Sequence, residues 1–483
     1  MKMKTILLFI LSLTISAGVF FRYRSENKKS SCQKYVPLIS GALLPSYIFV
    51  LCFMCILIFG VKGAAEMTLS MCFGIFLHIS LYYLILIGMM PLFRKHISAR
   101  TCAALWMIPN CLYLMNNNIL MEITKPLLVI HPSEKIIWLF FGIWLAGFCL
   151  VFLWKIIAHF IFRYHVLKEA TLVTDERTLQ IWQDTLHMIE VKHLKRPLYI
   201  SKAIKTPLSI GLFSLTTCVV LPDKSYTSDE LRLIFRHEMI HISREDAWAK
   251  FFLVFCTAMC WFNPLMWIAM RKSADDLELS CDETVLLNCE DTKRHQYANL
   301  ILQTAGDERG FTTCLSASAL ALSYRLKNIM HPGKRYSGAI TIGILFFFLC
   351  MSSGYVSLAY EHTNGAEILY QSDDLNLCSL RYMTSTSDTD ALRCTDEKAF
   401  HEYMAGLAME KITGYYSFSE SKKELSVIYE TPDGTLDIIL SDHMIKVVPL
   451  YDDDLKTTSY YLPVETDWAY LDTIIEKTSN GGL

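Results

Sequence analysis

Long apolar runs divide the chain and predict membrane-spanning helices. The runs cover residues 5–21, 42–61, 72–93, 103–120, 136–162 and 338–359. Each is close to the ~20 residues that a helix needs to cross the hydrocarbon core, although 103–120 is interrupted by Pro109 and several asparagines. Arg22, Arg24, Lys28 and Lys29 follow the first run, which favours a span over a cleaved signal peptide. The pattern therefore predicts a polytopic α-helical membrane protein.

The basic residues between the runs predict how the spans are oriented. Loops rich in Lys and Arg occur at 22–36, 94–101, 163–168 and 331–337, whereas loops 62–71 and 122–135 are poor in positive charge. Because cytoplasmic loops carry the excess of Lys and Arg, six crossings would place every basic loop in the cytoplasm. Both termini are then expected outside the cell.

Between and after these runs the pattern becomes that of mixed α+β domains. Residues 197–201 (PLYIS) and 216–222 (TTCVVLP) predict two short strands. Near the C-terminus a helix is predicted at 397–410, followed by alternating runs in which 431–434 forms a hairpin turn. The predicted units are an additional pair of spans (1–66), a span bundle (67–162), a cytoplasmic α+β domain (163–337), a last span (338–359) and a small extracellular α+β domain (360–483).

A possible metal-binding string lies in the predicted cytoplasmic domain. Residues 237–241 read HEMIH, the H-E-x-x-H spacing of a zinc peptidase. On a helix, positions i and i+4 share one face, so both imidazoles can bind one Zn²⁺ and Glu238 can act as general base. Thr227 and Glu230 form a capping-box pattern that predicts where this helix starts. An ordinary polar helix face fits the same string equally well.

A third ligand is predicted in the acidic string DDLELSCDE at 275–283. Asn263 is a good N-cap and Pro264 suits the first helical position, so a helix should begin there and carry the string. Glu278 and Asp282 are i and i+4 on that helix, so Glu278 can bind the metal while Asp282 orients a metal-bound histidine. The alternative is a solvated acidic face. Arg271 and Lys272 support it, because they lie four positions before Asp275 and Asp276 and can pair with them on a helix.

Several strings together resemble the catalytic core of the BlaR/MecR-type membrane zinc peptidases, which are β-lactam-sensing signal transducers of Gram-positive bacteria. The strings are RHEMIHISREDAW, WFNPLMW, DDLELSCDE, KTPLSIGLFSLTTCVVLPD and SLYYLILIGMMPLFRKHISARTCAALW, within residues 70–335. This resemblance implies that His237, His241 and Glu278 are the zinc ligands and that Glu238 is the general base of a glutamate-liganded H-E-x-x-H peptidase.

One further apolar run, 251–270, is long enough to cross a membrane but lies between the H-E-x-x-H string and Glu278. If those residues share one zinc ion, the chain must return to the same side. We therefore expect two short helices joined at Asn263-Pro264, or a run buried against the other spans. Either arrangement would place the active site at the inner surface of the membrane.

Two supporting roles stay open at this stage. Arg244 lies one turn after His241 and is a candidate for stabilising the oxyanion, but a structural ion pair with Asp246 is favoured. A strand beside the metal helix can pair through its free edge with an extended peptide substrate. A structural hairpin is the more common use of such strands.

Composition agrees with a membrane protein and argues against nucleic-acid binding. The 483 residues are 53% hydrophobic with a net charge of −2, and the 16 cysteines are scattered rather than arranged as a dense disulfide framework. Cys378 and Cys394 in the predicted outer domain are candidates for one disulfide.

The predicted outer domain departs from the resemblance. It is about half the length that a penicillin-binding sensor fold needs, and its S-x-x-K string (419–422) lies in a polar run without the accompanying motifs. These residues therefore do not decide whether the protein recognises β-lactams.

The sequence and this resemblance together predict a membrane zinc endopeptidase, and the resemblance implies that it acts as a sensor-transducer. An extracellular signal would then switch on cleavage of the chain itself, of a cytoplasmic transcriptional repressor, or of both; residues 316–330, which resemble the linker region of the family, are the candidate region for self-cleavage. Membrane lipid is an expected partner, direct nucleic-acid binding is not, and a homodimer is compatible with the sequence. The alternatives are a constitutive quality-control metalloprotease and a non-catalytic receptor that keeps zinc for structure.

Overall fold

The computed structural model describes most of the chain. The described residues are 10, 12–21, 43–115, 128–130, 133–188, 196–213, 216–287, 289–304, 319–331, 333, 335–352, 356–369, 376–383, 391–412, 423–431, 434–449 and 458–477. Several predicted features lie outside them: the basic loop 22–36, the S-x-x-K string 419–422, the central turn residues 432–433 and the first residues of the region 316–330.

Helices predominate in the described chain up to Ser352, and strands predominate after it. The helices are α1 (Ser12–Phe21), α2 (Leu43–His96), α3 (Ala99–Leu105), α4 (Leu112–Met115), α5 (Glu134–Lys168), α6 (Glu176–Met188), α7 (Ser228–Ser243), α8 (Asp246–Met259), α9 (Pro264–Val285), α10 (Asp291–Thr304), α11 (Ala319–Met330), α12 (Ala339–Ser352), α13 (Gly365–Leu369), α14 (Glu397–Gly406) and α15 (Trp468–Ile474). The strands are β1 (Leu128–Ile130), β2 (Thr171–Leu172), β3 (Leu198–Ser201), β4 (Leu208–Ile210), β5 (Cys218–Pro222), β6 (Val356–Asn364), β7 (Asn376–Met383), β8 (Ala391–Cys394), β9 (Ala408–Ile412), β10 (Glu424–Thr431), β11 (Gly434–Leu440), β12 (Met444–Pro449), β13 (Thr458–Tyr461) and β14 (Ile475–Lys477).

Two described helical segments are long and apolar enough to cross a membrane. They are Cys72–His96 in α2 and Trp138–Lys168 in α5, and they coincide with two of the predicted spans. Helix α1 and the apolar part of α12, Ala339–Leu349, are shorter.

The predicted loop at 62–71 is wrong, because α2 continues through these residues. The helix breaks instead at Gly60, whose φ of 69° lies in the left-handed region that glycine adopts without a steric penalty. The described part of run 103–120 is not one helix either. It consists of the end of α3, a 3₁₀ turn at Ile108–Cys111 that contains Pro109, and α4.

The apolar run 251–270 folds back on itself, as predicted. Helix α8 ends at Met259, and α9 begins at Pro264 after the N-cap Asn263, whose side chain accepts a hydrogen bond from the Leu265 N–H (3.0 Å). Buried residues of both helices share one apolar core with buried residues of α2 and α5, among them Phe252, Phe255, Met259, Met266, Tyr83 and Phe148. The hairpin therefore packs against α2 and α5.

A four-stranded sheet precedes the metal-binding string. Its order is β2-β3-β5-β4, with β3 and β5 parallel and the other two pairs antiparallel. The two predicted strands are confirmed as β3 and β5. Residues of β3, β5, α6 and α7 form a second apolar core that includes Trp182, Val219 and Phe235, so the sheet and α6 support α7.

The C-terminal part is an α+β unit with a long, largely antiparallel sheet of order β1-β6-β9-β13-β12-β11-β10-β7-β8-β14. The predicted hairpin is present, because β10 pairs with β11 from Thr431 opposite Gly434. The predicted helix 397–410 ends earlier, at Gly406, and residues 408–412 form β9. The register of β7 and β8 extrapolates to place Cys378 opposite Cys394, but the two cysteines are not bonded to each other.

Candidate metal centre

Helix α7 places two histidines side by side. The capping box forms as predicted: the Thr227 N–H donates to Glu230 Oε2 (2.7 Å), and the Glu230 N–H donates to Thr227 Oγ1 (3.3 Å). His237 and His241 are one turn apart in the body of this helix, with their Nε2 atoms 3.1 Å apart. Two imidazole nitrogens at this separation are directed towards one common point.

Helix α9 brings Glu278 to the same point. Its Oε2 lies 3.5 Å from His237 Nε2, and its Oε1 lies 3.6 Å from His241 Nε2. Glu278 and His241 are buried and His237 is nearly so. The structure therefore brings together all three residues that the sequence predicts as metal ligands, although α8 separates them along the chain.

Cys281, which the sequence analysis did not consider, lies at the same centre. Its Sγ is 3.3 Å from His237 Nδ1, and ligand atoms of His237, His241 and Cys281 lie within 4.8 Å of one another. The signal was present in the sequence, because Cys281 is three positions after Glu278 and shares its helix face.

The charges at the centre favour a cation. Burial alone lowers the pKa of His237, but the Cys281 sulfur and the Glu278 carboxylate outweigh burial and raise that pKa to about 10. Burial raises the pKa of Cys281, whereas the two histidines lower it overall. Burial likewise opposes ionisation of Glu278, but His241 and His237 hold its pKa well below the usual range. The Glu278 carboxylate and the Cys281 sulfur thus lie beside both imidazoles, and a positive charge at this centre is stabilised.

The donor set fits a zinc-type ion. Imidazole nitrogen, carboxylate oxygen and thiolate sulfur are the groups that Zn²⁺ binds in proteins. Glu238, next to the first histidine, is buried, and its Oε2 has no hydrogen-bond partner among the described residues. A buried carboxylate oxygen without a protein partner is costly unless it contacts water or a ligand.

Asp246 holds His241. Its Oδ2 accepts a hydrogen bond from His241 Nδ1 (2.7 Å), and its Oδ1 lies 3.3 Å from Arg244 Nε. The favoured ion pair of Arg244 with Asp246 is therefore present, and Asp246 has a second role that the sequence did not reveal. Glu245 between them has a φ of 57°, so a non-glycine residue adopts left-handed backbone where α7 turns into α8.

His237 is held through a tyrosine rather than directly by Asp282. The carboxylate of Asp282 lies 3.7 Å from His237 Nδ1, whereas Tyr297 Oη lies 2.8 Å from that nitrogen and donates to Asp282 Oδ1 (2.7 Å). Arg325 from α11 in turn donates two hydrogen bonds to Asp282. Tyr297 and Arg325 were both missed by the sequence analysis.

A lysine completes the surroundings of Glu278. Lys250 on α8 is buried, its Nζ lies 3.6 Å from Glu278 Oε1, and Nζ makes no hydrogen bond within the described part of the chain. Arg325 Nη1 lies 3.6 Å from the other carboxylate oxygen. The predicted third ligand is therefore flanked by two cations that favour its ionised form.

Comparison with known proteins agrees with this geometry. Residues 107–329 match the family described as BlaR1 peptidase M56, and this range contains every residue of the centre described above. The chain is also 26% identical over 188 residues to the "Regulatory protein BlaR1" of Bacillus licheniformis. That alignment covers 38% of this chain and 31% of the relative, so it spans about a third of the relative's length. Both matches confirm the resemblance to BlaR/MecR-type peptidases.

Proposed function

We propose, from the premise that residues 107–329 carry a BlaR1-type M56 peptidase domain, that this protein is a membrane-embedded zinc endopeptidase acting as a sensor-transducer. The observation that carries the proposal is the convergence of His237, His241 and Glu278, with Glu238 buried beside them. In this proposal the first three residues bind zinc, Asp282 and Asp246 support the ligands, and Glu238 is the general base.

The proposed chemistry is hydrolysis of a peptide bond. Zinc, when bound, supplies the positive charge that activates water and polarises the substrate carbonyl. Glu238 accepts the proton of the attacking water and passes it to the leaving amine. Asp246 keeps His241 oriented by accepting its Nδ1–H, which leaves Nε2 free for the metal. Strand β4, an edge of the described four-stranded sheet that packs beside α7, is the proposed site where an extended substrate adds as a further strand.

Contacts between loops support the proposed orientation in the membrane. Ile97 and Tyr336, from two loops predicted to be cytoplasmic, form a β-bridge. Strand β1, from a loop predicted to be extracellular, pairs with β6 at the start of the predicted outer domain. Segments assigned to one side of the membrane thus contact each other. The excess of Lys and Arg in loops 94–101 and 331–337 predicts that their side is cytoplasmic, so we infer a cytoplasmic metal centre and an extracellular C-terminal domain.

The proposed signal path runs from the outer domain through the spans to α9. The Glu283 carboxylate of α9 accepts a hydrogen bond from the Ala99 N–H (3.0 Å) and lies 3.6 Å from Arg335, just before α12. Strand β6 of the proposed outer domain is the next described element after α12. A displacement of α12 would therefore reach the helix that carries Glu278. The proposed substrates are the chain itself and a cytoplasmic transcriptional repressor.

Neither alternative has an observation that favours it. A constitutive quality-control protease predicts fragments whose amount ignores envelope stress. A receptor that keeps zinc for structure predicts no effect of Glu238→Gln, yet a purely structural site has no use for the buried, unpartnered oxygen of Glu238.

Epitope tags at the two termini test the proposal in a Gram-positive host. Wild type, Glu238→Gln and the exposed control Asp229→Asn on the same helix are compared by blot with and without cell-wall antibiotics. We expect antibiotic-dependent fragments of the chain, or of a co-expressed repressor, in wild type and Asp229→Asn only. Fragments of equal amount with and without antibiotic would support the constitutive protease, and fragments that persist in Glu238→Gln would contradict a catalytic role of this centre.

A further inference from the structure

Helix α11 contributes one side chain to the metal centre from outside the motif helices. Arg325 lies on α11, which packs against α9, and its side chain is largely buried. Its Nε donates to Asp282 Oδ2 and its Nη2 donates to Asp282 Oδ1, both at 2.8 Å. Two parallel hydrogen bonds of this kind fix a carboxylate in position and in plane, which a single contact does not.

The orientation of the Asp282 carboxylate determines whether the Tyr297 hydroxyl donates a hydrogen bond to His237 or accepts one from it. The Tyr297 hydroxyl has one proton, and it donates that proton to Asp282 Oδ1 (2.7 Å). The tyrosine oxygen can then only accept from His237 Nδ1, at 2.8 Å. In a neutral histidine that donates from Nδ1, Nε2 is unprotonated and can bind a metal ion, and in His237 it is Nε2 that lies beside His241 and Glu278. Cys281 Sγ, at 3.3 Å, and Asp282 Oδ1, at 3.7 Å, also lie beside Nδ1.

We propose that Arg325 is a positioning residue of the metal centre, which holds Asp282 so that Tyr297 presents His237 to the metal. The inference rests on the proposed function for the identity of the metal. Arg325 touches neither the substrate nor the reacting atoms in this role. Helices α7 and α9 therefore do not form the complete site. Helix α11, which precedes the last apolar helix, supplies part of the support of the metal centre.

Metal binding by the purified full-length chain in detergent tests this role without depending on proteolysis. The variants are Arg325→Gln, Arg325→Lys and Tyr297→Phe. The matched control is Arg294→Gln, because Arg294 is also partly buried and donates to the Ile329 carbonyl of α11 (3.3 Å) but makes none of the described contacts of the centre. Zinc affinity is measured by chelator competition, and the ligand field is measured by the visible spectrum after substitution with Co²⁺.

We expect Arg325→Gln and Tyr297→Phe each to weaken zinc binding by about 10- to 100-fold, the usual effect of removing support from a metal-bound histidine. Arg325→Lys should recover only part of the loss, because an ammonium cannot make the paired hydrogen bonds. The double variant Arg325→Gln/Tyr297→Phe should lose less zinc-binding free energy than the sum of the two single losses, because both residues support His237, although Arg325 also lies 3.6 Å from Glu278. Arg294→Gln should lower the melting temperature without changing zinc affinity or the cobalt spectrum.

The inference would be overturned if Arg325→Gln had the zinc affinity and the cobalt spectrum of the wild type. It would also be overturned if Arg294→Gln lost as much zinc affinity as Arg325→Gln. If Arg325→Gln does not fold, Tyr297→Phe decides, since it removes one hydroxyl, and unchanged zinc binding there overturns the inference. Failure of the proposed function would give a different result, in which the wild-type chain binds no zinc or does not cleave a protein substrate.

Discussion

Replacing Asp246 by asparagine removes one charge from the support of His241 and keeps the shape of the side chain. Asp246 is buried, accepts from His241 Nδ1 at 2.7 Å and pairs with Arg244 at 3.3 Å. The amide can still accept from Nδ1, but it no longer raises the basicity of the imidazole and leaves the arginine without its carboxylate. We expect zinc affinity to fall by about 10- to 100-fold, which corresponds to roughly 1.4 to 2.8 kcal/mol.

The assay is competition between the purified protein and a chelator of known zinc affinity, at fixed pH. Asp229→Asn is the control, because Asp229 is exposed on α7 and pairs only with exposed Arg232 in the described structure. His241→Ala defines the loss of one ligand. If Asp246→Asn binds zinc within twofold of the wild-type affinity while His241→Ala binds it much more weakly, Asp246 does not support His241 as a zinc ligand. No loss in His241→Ala would refute the metal centre itself.

Three further outcomes follow from the structure. Asp276→Asn should destabilise the protein by about 3–5 kcal/mol in chemical unfolding, because Arg94 loses its buried partner; a change below 1 kcal/mol would contradict this. In the presence of a chelator, protonation of His237 should stabilise the fold fully below its unfolded pKa of 6.5, and this contribution should disappear as the pH rises through about 10; subtracting the pH profile of His237→Gln isolates it, and a difference that grows above pH 7 would contradict the sign. Thr227→Ala should cost about 1 kcal/mol, because α7 loses its N-cap, and an unchanged melting temperature would show that the cap does not matter.

The local elements of the centre could be predicted because their signals are local. The capping box at Thr227 fixed the start of α7, and Asn263-Pro264 fixed the start of α9. If residues of α7 and α9 bind one metal ion, the apolar run between the two helices must fold back, and it does. The same local signals failed at 62–71, where a polar stretch between apolar runs was interpreted as a loop although its residues continue a helix.

The supporting residues could not be predicted because packing over long sequence separations places them. Arg325 is 43 positions from Asp282, Tyr297 is 60 positions from His237, and Lys250 reaches Glu278 from a different helix. No periodicity or spacing rule connects such pairs. Cys281 is different, since its position on the face of Glu278 was readable from helical spacing alone.

The most direct test of the proposed metallopeptidase compares purified wild-type protein with Glu238→Gln for zinc content and for cleavage of a quenched fluorescent unfolded protein. We expect about one zinc ion per chain in both proteins and cleavage at least about 100-fold slower in Glu238→Gln, because only the general base is removed. Equal cleavage by the two proteins, or the absence of zinc from the wild-type chain, would contradict the proposal.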